Sequence, residues 1–149
     1  MLKPTKILVP TDFSAYSDKA LEQALDIARQ YNAQVFLLHV IEHDMDFLLG
    51  LYPTYSEELV RMIKNHPWNE AEENIKKQLA KFSQVREVKI TTKVCQGVAY
   101  QEILEEAKDK GIDLIVIASL GRSGIAKYLI GGVARNVLKG STCPVLLTK

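Results

Sequence analysis

The stretch "IDLIVIASLGRSGIAKYLIGG", residues 112–132, passes from a nearly unbroken apolar run into a loop holding four of the chain's eight glycines, Gly121, Gly124, Gly131 and Gly132. The run at 112–119 has the character of a central parallel strand covered on both faces, which needs no polar alternation. Behind the glycines, "GVARNVLKG" (132–140) reads as a short helix closed by Gly140, and "CPVLLTK" (143–149) as a last strand. Strand, loop, helix and strand in that order form a crossover, the connection that parallel neighbours require.

Working outward, the same alternation recurs. "KILVP" (6–10) is a compact strand, and "SDKALEQALDIARQY" (17–31) carries Ala20, Leu21, Ala24, Leu25, Ile27 and Ala28 at helical spacing. "AQVFLLHV" (33–40) is a second strand, and "REVKITTKV" (86–94) alternates like a half-exposed one. "AYQEILEEAKDKG" (99–111) places Ile103, Leu104 and Ala107 on one helical face with Gly111 as C-cap. The long stretch 55–84 is helical in pattern, with a break or bend predicted at His66-Pro67. Five strands with intervening helices predict an open α/β sheet in one domain over 1–149, with "EHDMDFLLGLYPT" (42–54) as the doubtful linker.

Composition excludes several function classes. Nineteen Lys and Arg against 18 Asp and Glu give a net charge of +1, which offers no electrostatic footprint for nucleic acid or an anionic membrane. No apolar run approaches the ~20 residues of a membrane helix, and "MLKPTKILVP" lacks the apolar region of a signal peptide, so a cytoplasmic location is expected. The two cysteines, Cys95 and Cys143, form no CxxC pair and read as small hydrophobes on strands of a protein in a reducing compartment.

Ligands of such sheets gather beyond the carboxyl ends of the strands, where strand order reverses. That rule selects "PTDFS" (10–14), "HVIEHD" (39–44) and the glycine loop. Glycines there let a ligand approach the backbone, and amides at the following helix start attract an anion such as phosphate. The same glycines also solve a tight exit from a buried strand, and their spacing does not decide between the two.

Taken together, "KILVPTDFSAYSDKALEQALDIARQYNAQVFLLHVIE" and "DLIVIASLGRSGIAKYLIGGVARNVLKGSTCPVLL" resemble the universal stress protein family of the UspA type at both ends of the chain, with a variable middle at about 42–84. The resemblance implies a sheet ordered 3-2-1-4-5, a homodimer joined through the C-terminal strand, and a role in stress response. In one branch it implies an ATP site, with Mg2+ an accompanying cofactor. Transferred residue by residue, that site comprises Asp12 near ribose and adenine, flanked by Pro10 and Thr11, and the backbone of Val40 against adenine. Leu120, Gly121 and Gly124 stand at ribose and phosphates, which continue onto Gly131, Gly132 and Val133. Two features depart from the family pattern. Six residues rather than nine separate Gly124 from Gly131, and Gly132 replaces the hydroxyl residue; Leu120 and Ala118 also stand where histidine and glycine are common.

Each remaining candidate has a plainer competitor. Asp12 and Ser14 suit the start of a helix as well as a ligand. Arg122, Lys127 and Arg135 are close enough to reach phosphate, or are simply solvated. His39, His43 and His66 lack metal-ligand spacing, and no catalytic triad or GxxxxGK[ST] loop is present. The apolar segment "DFLLGLYPTY" (46–55), with Trp68, reads first as ordinary packing over the sheet edge, with cover of the nucleotide site or contact with an unidentified protein partner as the functional alternative. The favoured reading is a nucleotide-responsive regulatory protein. Slow ATP hydrolysis or phosphotransfer and a nucleotide-independent scaffold are the alternatives.

Overall fold

A computed structural model describes residues 2–51, 54–121 and 129–149. Its elements run β1 (Lys6–Pro10), α1 (Ala15–Tyr31), β2 (Gln34–Ile41), α2 (Met45–Gly50), α3 (Glu57–Leu79), β3 (Ile90–Gln96), α4 (Ala99–Lys110), β4 (Leu114–Ala118), α5 (Gly132–Gly140) and β5 (Val145–Thr148). The strands form one parallel sheet in the order β3-β2-β1-β4-β5, as expected.

Period-2 alternation divides the core between the two faces of the sheet. Ile7, Val9, Val35, Leu37, Leu114 and Val116 face α1, whose Ala20, Leu21, Ala24 and Leu25 are fully buried against them. Leu8, Phe36, Leu38, Ile115 and Ile117 face the other way, onto Ile103 of α4 and Ala134 and Val137 of α5. Each fully buried Leu, Ile or Val contributes about 1.5–3 kcal/mol. This two-sided burial is why β1 and β4 read as unbroken apolar runs.

Local chemistry sets the helix ends. Ser14 caps α1 by accepting from Ser17 N, and Asn32 and Gly111 close α1 and α4 in the left-handed region. Helix α3 departs from expectation, for it runs unbroken through Pro67. Proline removes one donor to the carbonyl four residues earlier, but on this largely solvent-facing helix water can serve that carbonyl.

The doubtful linker contains α2, capped by the Asp44 side chain accepting from Phe47 N. The third strand begins at Ile90, not residue 86, because Ser83–Arg86 forms a 3-10 turn and pairing with β2 starts at Val35↔Ile90. Cys95 lies on β3 as expected, whereas Cys143 precedes β5 in a turn held by Ser141 Oγ; both thiols are half-buried and unpaired.

Candidate functional site

Strand order reverses between β1 and β4, and the chain opens there into a cavity of about 540 Å³. That volume suits a small-molecule ligand, for which pockets of ~300–1,000 Å³ are usual. Pro10, Thr11 and Asp12 enter it from the end of β1, and Val40 from β2. Leu120 and Gly121 follow from the exit of β4, and Gly131, Gly132 and Val133 from the start of α5. Every described residue of the anticipated site therefore lines one cavity. Gly124, Arg122 and Lys127 lie outside the described residues. Arg135 donates to the Ile130 carbonyl at 3.2 Å and does not line the cavity.

The loop leaving β4 returns to where it began. Ser119 N donates to Thr148 O at 2.9 Å, and the Ser119 carbonyl accepts from Gly131 N at 2.7 Å. A Cβ on Gly131 would stand 3.3 Å from that carbonyl, a tight contact that glycine avoids where the two backbone segments approach. Gly132 is different, since among the described residues a Cβ there would meet nothing within 4 Å.

Among the described residues three helix N-termini border the cavity, and at two of them a side chain accepts from one of the first amides. At α1, Ser14 Oγ accepts from Ser17 N; at α4, the Glu42 carboxylate accepts from Ala99 N at 3.2 Å. The start of α5 has Gly131 as its N-cap. Among the described residues no side chain bonds its first amides, and its positive dipole end attracts an anion by about 0.3–1 kcal/mol at an exposed position before any directed hydrogen bond.

The turn after β1 is held from several directions. Asp12 Oδ1 accepts from Ser14 N at 3.0 Å, and Thr11 Oγ1 accepts from Phe13 N at 3.0 Å. Between them Phe13 adopts φ 64°, an uncommon conformation for a bulky residue. The Phe13 ring lies on His39 with centroids 4.4 Å apart, and His39 Nδ1 lies 2.8 Å from the Thr11 carbonyl. Because a carbonyl can only accept, Nδ1 carries a proton. His39 is thus a polar strand residue that lines the cavity. Among the described residues, no three His, Cys, Asp or Glu side chains gather to hold a metal ion.

Several site features were absent from the sequence reading. The cover considered for 46–55 is supplied by α3, whose Pro67, Glu70, Ala71 and Asn74 line the cavity. The described residues of 46–55, and Trp68, do not line it; Phe47, Leu48 and Leu51 are exposed, at 66, 47 and 59%. Gln78 on α3, which accepts from Thr11 Oγ1 at 2.9 Å, was also missed. The only signal was its place seven residues after Ala71 and three after Ile75, on the buried stripe of an otherwise polar helix.

Known proteins resemble this chain over most of its length. Residues 4–149 match the model of the universal stress protein family. Universal stress protein MJ0531 of Methanocaldococcus jannaschii is 36% identical over 144 residues, covering 97% of this chain and 81% of the relative. MJ0577 of the same organism is 34% identical over 156 residues, covering 97% and 94%. The solved structure of MJ0577 superposes with a TM-score of 0.81 at 30% identity, covering 99% of this chain and 97% of that one. A universal stress protein solved in complex with cAMP shares the fold, with a TM-score of 0.67 at 23% identity and coverage of 99% and 98%.

Proposed function

The chain belongs to the universal stress protein family, and from that premise we propose that its cavity binds an adenine nucleotide, ATP above all, and that the protein acts as a nucleotide-responsive regulatory dimer. The observation that carries the reading is the start of α5, which no side chain of the described residues caps, opening onto a cavity where Ser14 and Glu42 each take an amide at the starts of α1 and α4. Phosphates belong at Gly132 and Val133, the base beside the backbone of Val40, and the ribose near Asp12. The cAMP complex of a family member with the same fold supports adenine as the base. Mg2+ would enter with the triphosphate and shield its charge. Occupancy would alter contacts with a second copy or with a protein partner in a stress response.

Calorimetry with ATP, ADP and AMP, each with and without Mg2+, tests the proposal, together with mass analysis of nucleotide released from the denatured purified protein. Affinity is expected to fall in the order ATP, ADP, AMP as phosphates are lost from α5. Equal affinity for all three would remove the phosphate cradle, and no binding of any would leave the scaffold reading.

A further inference from the structure

Helix α3 is mostly solvent-facing, and its buried residues are Ala71, Ile75 and Gln78. Two are apolar, as a helix docked on a sheet requires. The third is a primary amide only 2% exposed, which persists in such a place when its hydrogen bonds are satisfied. Gln78 Oε1 accepts from Thr11 Oγ1 at 2.9 Å, and Nε2 donates to Asp18 Oδ1 at 2.8 Å, with a longer contact to Ser17 Oγ at 3.4 Å. Asp18 is held in turn by Lys81 Nζ at 2.7 Å.

The bond to Thr11 has a directional consequence. A hydroxyl has one proton and two lone pairs. With the proton given to Gln78, the lone pairs of Thr11 Oγ1 are left for Phe13 N, the contact that accompanies the left-handed backbone of Phe13. Asp12 lies between these residues and has its own carboxylate on Ser14 N. Without the amide, the Thr11 proton turns to Ser17 Oγ at 3.1 Å, whose own proton already goes to the Ser14 carbonyl. The same helix supplies Ala71 and Asn74 to the cavity wall.

Resting on the nucleotide-binding reading above, we propose that Gln78 is a positioning residue: it pins the Thr11 hydroxyl, and through it the turn that aims Asp12 into the cavity, while fixing α3 as the opposite wall.

The test combines ATP calorimetry with amide hydrogen exchange of the unligated protein, on Gln78→Leu, Thr11→Val, Thr11→Ser and the Gln78→Leu/Thr11→Val double variant. Gln78→Met, closer in shape to the native side chain, repeats the first in case the leucine does not fold. Gln78→Leu and Thr11→Val are each expected to weaken binding about tenfold or more, Thr11→Ser to stay within about twofold of wild type, and the double variant to bind no more weakly than Thr11→Val alone. In the unligated protein the Phe13 amide should exchange about tenfold faster in Gln78→Leu, with the Leu8 amide unchanged. Additive losses in the double variant, or wild-type affinity in Gln78→Leu, overturn the proposal. If wild type binds no nucleotide, the functional reading fails, and Phe13 exchange alone decides on Gln78: acceleration supports the positioning role and its absence overturns it.

Discussion

A Cβ placed on Gly121 would stand 2.7 Å from Oδ2 of Asp12, so the exit of β4 and the turn after β1 close on each other with no room for a side chain between them. Asp12 cannot yield freely, because its Oδ1 is engaged by Ser14 N at 3.0 Å. Gly121 does not use the left-handed region, so alanine there is compatible with the backbone and, among the described residues, acts on Asp12. Gly121→Ala is therefore expected to cost about tenfold in nucleotide affinity, roughly 1.4 kcal/mol, with little change in thermal stability. Calorimetry beside a thermal melt checks it; unchanged affinity would mean that Asp12 does not touch the ligand.

Gly132 offers the opposite experiment. It stands where the family pattern has a hydroxyl residue, and a side chain there meets none of the described residues within 4 Å. Gly132→Ser should tighten ATP binding, since a hydrogen bond to a charged phosphate is worth about 1.5–3 kcal/mol. The gain should be smaller for AMP, which brings fewer phosphates to α5. A loss of affinity for ATP would show that the ligand occupies the space that the serine needs.

These two glycines mark what the sequence could and could not say. Segments whose pattern is set locally, such as β1 at Lys6–Pro10 and α5 at Gly132–Gly140, agree with the structure to the residue. The carboxyl-end rule then collected Asp12, Val40 and Gly121 around one cavity, because topology alone brings those loops together. What escaped depends on tertiary pairing. The alternation of "REVKITTKV" continues past the true start of β3, and only the register with β2 locates that start. Gln78 reads as one more polar residue of a charged helix until Thr11 is seen opposite it.

At the other end of the sheet, Asp113 ties the entry of β1 to that of β4, accepting from Thr5 N, Thr5 Oγ1 and Lys6 N at 2.6–3.0 Å. Burial pushes its pKa up, but these hydrogen bonds outweigh burial and hold it below the ordinary 3.8. The sign follows from linkage: with the folded pKa depressed, the stabilisation is complete above the unfolded value and is lost as pH falls through the folded one. Asp113→Asn should lower the melting temperature at pH 7, and the difference from wild type should narrow on acidification below about pH 4. A difference independent of pH would assign the effect to shape rather than charge.

Cys95 is expected to be a poor nucleophile. Burial, and then the nearby Glu102 carboxylate, push its thiol from 9.0 up to about 11, which reduces the thiolate fraction near neutral pH about a hundredfold. In a Cys143→Ser background, iodoacetamide at pH 8 should modify Cys95 correspondingly slowly, and Glu102→Gln should speed the reaction. Modification at the rate of a free thiol would place Cys95 outside this environment.

The edge formed by β5 bears on assembly. Val145–Thr148 pairs with β4 along one side, and among the described residues no strand lies on the other. An open edge of this kind invites pairing with another chain, and across a two-fold axis the partner is the same strand of a second copy. Leu146, 37% exposed on that strand, would then be covered. Wild type should sediment at twice 16.7 kDa at micromolar concentration, and Leu146→Lys at the monomer mass, because two lysines cannot be buried against each other without partners. A monomeric wild type would remove the dimer from the proposed function. A dimeric Leu146→Lys protein would instead move the interface to another surface, leaving the cavity at the β1–β4 reversal unaffected.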